Sequence, residues 1–82
     1  MGASLDVRLV GARLRDARKR LGMRQADLAC LLGAAASWIS DLENGKQRGP
    51  AAETIVRLAR ALGVSTDFLL GMDLAADGED AT

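Results

Sequence analysis

The chain has 82 residues, 49% of them hydrophobic and 27% charged, with 11 basic against 11 acidic side chains, which suits one small domain with a modest core and excludes a disordered chain. Trp38 and Phe68 are the only aromatic residues, so aliphatic side chains must build nearly all of that core, and a helical bundle is the natural solution. With no His, one Cys and no carboxylates facing one another by helical spacing, neither a metal site nor a nucleophile with its base can be assembled, so no enzyme activity and no cofactor are expected.

Met1-Gly2-Ala3-Ser4-Leu5-Asp6 lacks the basic-then-apolar order of a secretory leader and reads as a flexible N-terminus. No uninterrupted apolar run is long enough to cross a bilayer. Cys30 stands alone, so no internal disulfide can form, and a reducing cytoplasm is expected. The first helix is expected over about Val7 to Leu21, with Val10, Leu14, Ala17 and Leu21 on one apolar stripe and Gly22 as a left-handed stop. Arg8, Arg13, Arg15, Arg18, Lys19, Arg20 and Arg24 crowd this first third of the chain.

The next two elements form the most informative segment. A helix over Gln25–Leu32 and another over Ala36–Glu43 are separated by a turn at Gly33, where positive φ or close backbone approach is required. Ala29 supplies the near-absent side chain that a tight helix crossing needs. Ile39 returns to the interior with Leu28, Leu32 and Leu42, following a buried helical period. Together these offsets lock the second helix so that its other side projects outward, a geometry suited to the DNA major groove. Asn44-Gly45 ends it. Cys30 reads as a passive, partly buried thiol, and Leu31 beside it is oddly apolar for an exposed position and marks a possible neighbour contact.

Gly49-Pro50 is expected to open the fourth helix, with Pro50 at the first helical position, an inner stripe of Ile55, Leu58, Ala59 and Leu62, and Gly63 as its stop. Ser65 is a candidate N-cap for a short fifth helix in which Asp67 complements the dipole and Phe68 and Leu69 return to the core. Asp73, Asp77, Glu79 and Asp80 then make residues 72–82 an acidic tail, expected to be solvated and mobile, which cancels a basic domain in the net charge. No strand pattern, internal repeat or second domain is visible.

From about Leu9 to Leu70 the chain resembles the lambdoid repressor and Cro type helix-turn-helix family. The resemblance rests on Gln25 with Leu28-Ala29, Gly33, Ile39-Ser40, Leu42-Glu43-Asn44-Gly45-Lys46, and Ala61-Leu62-Gly63-Val64-Ser65 leading into Phe68-Leu69-Leu70-Gly71. Trp38-Ile39-Ser40-Asp41-Leu42-Glu43 is also similar to the recognition helices of restriction-modification controller proteins. The resemblance implies a compact, all-α, five-helix DNA-binding domain over residues 7–71, with the motif at about 25–44.

It also implies roles for matching residues. Gln25 would anchor a DNA phosphate at the start of the second helix. Arg18 and Glu43 match a structural pair between the first helix and the end of the third. Arg24, Lys46 and Arg48 flank the motif where backbone contacts are made, with Asn44 at the close of the recognition helix. Where relatives often carry Ser, Gln or Arg, this chain has Ala35 and Ala36, so an N-cap hydroxyl and a base-reading amide are missing. Outward contact then falls to Ser37, Trp38 and Asp41 with the two alanine methyls; Trp38 could instead pack across the domain surface. A dimer interface is expected at Leu70, Met72 and Leu74. The expected function is a sequence-specific regulator of transcription, acting as a homodimeric repressor that blocks or recruits polymerase at a pseudo-palindromic operator. The alternative is a protein-interaction module, such as an antitoxin that neutralises a toxin and binds DNA secondarily.

Overall fold

A computed structural model describes residues 6–47 and 50–72. Five helices follow one another as α1 (Val7–Arg20), α2 (Gln25–Leu32), α3 (Ala36–Glu43), α4 (Ala52–Leu62) and α5 (Thr66–Leu70). Arg48, Leu74, residues 1–5 and the acidic tail from Asp73 onward lie outside the described residues.

Each helix starts and stops for a local reason. Asp6 does not belong to a flexible terminus but is the N-cap of α1: its carboxylate accepts from the backbone N–H groups of Arg8 and Leu9 at 3.1 and 3.2 Å. Ser65 caps α5 by accepting from the Phe68 N–H at 3.0 Å. Gly33 takes φ 66° with nothing within 4 Å of where a Cβ would sit, so the hinge between α2 and α3 needs glycine for its left-handed conformation and not for close approach.

Three local expectations are corrected. Pro50 is not the first helical residue, because α4 begins at Ala52 with extended Ala51 as its N-cap (φ −61°, ψ 154°); the proline stands one residue before the cap, in the approach to the helix. Leu21 does not join the inner stripe of α1. The helix ends at Arg20, Leu21 becomes its C-cap (φ −88°, ψ 0°), and its side chain is left 55% exposed. Cys30 is exposed, since it lies two positions from both Leu28 and Leu32 and so points away from the face they bury.

The core joins all five helices. Val10, Leu14 and Ala17 of α1, Leu28, Ala29 and Leu32 of α2, Ile39 and Leu42 of α3, Ile55, Leu58, Ala59 and Leu62 of α4, and Leu69 of α5 are buried together. Burying one such aliphatic side chain contributes roughly 1.5–3 kcal/mol, so this cluster, more than helix propensity, holds the short α2 and α3 in place. Arg13 of α1 lies over the Phe68 ring, 4.6 Å from its centroid, and donates to the Phe68 carbonyl at 3.0 Å, fastening α5 to α1. Arg57 of α4 donates to the Leu32 carbonyl at 2.9 Å, occupying one of the carbonyls that the end of α2 leaves open. Neither arginine declares this role in the sequence, where both read as surface charge.

Candidate functional site

Behind α3, a buried charge cluster fixes the helix from its C-terminal end. Glu43 closes α3, and its side chain is 3% exposed against 8% for Arg18. Arg18 Nε and Nη2 donate to the two carboxylate oxygens, the second at 3.0 Å, while Nη1 donates to the Met23 carbonyl at 2.7 Å. The same carboxylate accepts from the Gln25 amide at 3.1 Å. The hydrogen bonds to Glu43 hold the Arg18 guanidinium more firmly protonated than usual. Among the described residues no buried side-chain nitrogen or oxygen lacks a partner, so the cluster is fully satisfied. It ties α1, α2 and α3 at one point.

Gln25 is half-buried at the first position of α2. One amide hydrogen serves Glu43, which leaves the second able to donate outward. The backbone N–H groups of Gln25 and Ala26 have no intrahelical partner, as a helix start requires, and the positive end of the helix dipole lies there too. An anion at this corner would meet several donors at once.

Arg24 is the residue before α2. Its side chain pairs with Asp27 at 2.9 Å, and the Asp27 carboxylate also accepts from the Arg24 backbone N–H at 2.9 Å. The Arg24 side chain, and then its backbone N–H, hold the Asp27 carboxyl at about 2, below its usual 3.8. A lowered carboxyl pKa stabilises the fold at any pH above the ordinary value, and that contribution fades as pH falls from about 4 through 2. Asp27→Asn should therefore flatten the acid limb of thermal stability between pH 4 and 2, measured by melting at stepped pH. An unchanged acid limb rejects the linkage. The pair is well exposed, so this contribution, and with it the flattening of the acid limb, is small.

The outer face of α3 is bare. Ala35, its N-cap, makes no side-chain hydrogen bond, and Ala35, Ala36 and Ser37 are all exposed. Trp38 is half-buried, packed against the core and bordering a small recess with Leu32, Gly33, Ala34, Thr54 and Arg57. Asp41 is half-buried, and its backbone carbonyl accepts from the Lys46 N–H at 2.9 Å. Asn44 is exposed and reaches Ser40 at 3.4 Å, and Lys46 is exposed beyond it. Arg18, Gln25 and Glu43 are thus brought together, Ala35 through Trp38 form a contiguous edge, and Arg24 stands apart with Asp27.

Sequence reasoning missed Gly11, a buried glycine in the interior of α1. A Cβ there would lie 2.4 Å from the Leu42 carbonyl oxygen and 2.7 Å from that of Glu43, so α1 and the end of α3 are in backbone contact. The available signal was a glycine inside an otherwise helical apolar pattern.

A family model described as a helix-turn-helix domain matches residues 9–69. The chain belongs to that family. Repressor protein C2 of Salmonella phage P22 is 37% identical over 71 residues, which cover 87% of this chain and 32% of the repressor; the chain thus spans about a third of that relative's length. The crystal structure of the P22 c2 repressor with a synthetic operator superposes with a TM-score of 0.70 at 36% identity, covering 77% of this chain and 94% of that one. The restriction-modification controller protein C.AhdI from Aeromonas hydrophila gives a TM-score of 0.71 at 34% identity over 78% of this chain and 96% of its own. Hydroxypropylphosphonic acid epoxidase from S. wedmorenis also matches, with a TM-score of 0.77 at 28% identity, but only over 36% of its chain. The all-helical, lambda-repressor-like architecture is shared with the controller and the phage repressor.

Proposed function

We propose that this chain is a sequence-specific, double-stranded DNA-binding regulator of transcription, acting in the cytoplasm as a homodimeric repressor and not as an enzyme. The observation that carries the reading is the construction of α3. It is clamped from behind by Arg18, Gln25 and Glu43 and left exposed along Ala35, Ala36 and Ser37. Gln25 and the start of α2 contact a phosphate, Lys46 and Asn44 flank it, and α3 lies in the major groove. Readout depends on two alanine methyls, Ser37, Asp41 and the edge of Trp38. The 37% identical P22 protein is by its name a repressor, which favours the repressor over the antitoxin reading, and the epoxidase matches over only 36% of its chain.

Selection from a random duplex library with purified protein tests this. The expected result is one enriched, pseudo-palindromic site with half-sites about 10–10.5 base pairs apart. Gln25→Ala should weaken binding to every duplex alike, whereas Ser37→Ala should change preference at particular bases by roughly 1–3 kcal/mol. No enriched sequence at low salt rejects the reading. Trp38→Ala should lower the melting temperature, and any added change in base preference assigns it a direct contact.

A surface for self-association lies on α4 and α5. Val56 and Met72 are 37% and 56% exposed, and Val56 borders an apolar groove with Pro50, Ala52, Ile55, Thr66 and Leu70. Leu70 is half-buried there, available to a second copy. Leu70→Glu with Met72→Glu should yield a folded monomer with much weaker operator binding. Sedimentation showing an unaltered association state rejects this surface.

A further inference from the structure

We propose that α1 carries a second phosphate-contacting surface: a basic ribbon of Arg8, Arg15 and Lys19, continued by Lys46, that follows one strand of duplex beside the site held by α3. The proposal rests on the DNA-binding reading above. At about 100° per residue, Arg8, Ala12, Arg15 and Lys19 fall within an arc of roughly 60° on the helix surface, and Arg8 to Lys19 spans roughly 16 Å. One strand of duplex advances about 3.4 Å per phosphate along its axis and farther along its own inclined path, so the ribbon matches the length of a few consecutive phosphates. All three basic side chains are exposed.

The ribbon adjoins the recognition helix. Ala12, Arg15 and Lys19 line a shallow groove together with Glu43 at the end of α3. At its other end, Gly45 sits so close to Arg8 that a Cβ on it would stand 3.0 Å from Arg8 Cγ and 3.4 Å from Arg8 Cα. Lys46 follows immediately. The nearby carboxylates are each engaged elsewhere: Glu43 with Arg18 and Gln25, Asp16 with Arg20 at 3.0 Å, and Asp6 with the backbone N–H groups of Arg8 and Leu9. Among the described residues, no ion pair engages Arg8, Arg15, Lys19 or Lys46.

A face selected only for solubility mixes signs and respects the helix dipole. Arg8 does neither. It is the second residue of α1, where the dipole disfavours a cation, and the first turn contains no acidic residue beyond the Asp6 carboxylate at the N-cap, which is engaged by backbone N–H groups. A polyanion along the ribbon removes both penalties.

The test compares binding to the selected operator duplex, extended by flanking base pairs on each side, as a function of salt. Arg8→Gln/Arg15→Gln/Lys19→Gln should retain the wild-type melting temperature and base preference. Its log–log salt slope should be shallower by about 2.7 per bound chain, about 0.9 for each contact, and ethylation interference should be lost at the flanking phosphates. Arg8→Lys/Arg15→Lys, which keeps the charge, should keep the slope. A triple variant with the wild-type slope overturns the ribbon and leaves the α3 reading standing. A wild-type chain that retains no duplex overturns both.

Discussion

Glu43→Ala should lower the unfolding free energy by about 3–5 kcal/mol, because it leaves a guanidinium buried without its counter-ion. The Glu43 side chain is 3% exposed and receives hydrogen bonds from Arg18 and Gln25. After its removal, Arg18 keeps only the Met23 carbonyl, and the Gln25 amide loses its acceptor. For a domain of this size each kcal/mol shifts the melting temperature by roughly 4–8 °C, so the variant should be largely unfolded under conditions where the wild type is native. Arg18→Met combined with Glu43→Leu should recover much of the loss, since an apolar pair of similar volume leaves no orphaned charge. An unchanged denaturation midpoint for Glu43→Ala rejects the account.

Gly11→Ala should cost about 3 kcal/mol, the upper end of the overpacking range, although alanine is ordinarily the better helix residue. The obstruction is the backbone at both Leu42 and Glu43, which cannot rotate away as a side chain could. Relief requires α3 to move off α1. DNA binding should therefore weaken by more than the stability loss explains when measured at temperatures where the variant is fully folded. A variant with wild-type stability and affinity means that α1 and α3 are not in backbone contact.

The helices were readable because their signals are local. Periodic leucines and glycines at the stops gave α2 and α3 at the observed limits, and Ser65 announced its own helix. Pro50 misled because the same residue suits both the first helical turn and the extended approach to a cap, and only tertiary packing chooses between them. Leu21 misled for a related reason: its spacing fits the stripe, but the helix ends one residue too soon. The Arg18–Glu43 pair could be named from a family resemblance, yet its junction with Gln25 depends on three helices meeting. Arg13 and Arg57 carry no one-dimensional mark, and Gly11 shows only as a glycine inside a helical pattern, with nothing to say what it lies against. Their partners are carbonyl groups and a ring brought from 55, 25 and about 31 residues away, and backbone acceptors have no signature in sequence.

The missing hydroxyl at Ala35 has a dynamic consequence. With no side chain accepting from them, the first amides of α3 are held by solvent alone, and eight residues are too few for intrinsic helicity to hold that turn closed. The buried end of the helix, anchored by Ile39, Leu42 and Glu43, opens only with the domain, whereas the outward end opens by itself at far lower free energy. Amide hydrogen exchange should thus be fastest at Ala36 and Ser37 and slowest toward Leu42, a gradient along two turns. The last turn is set by folding, and the first is left for the bound surface to set.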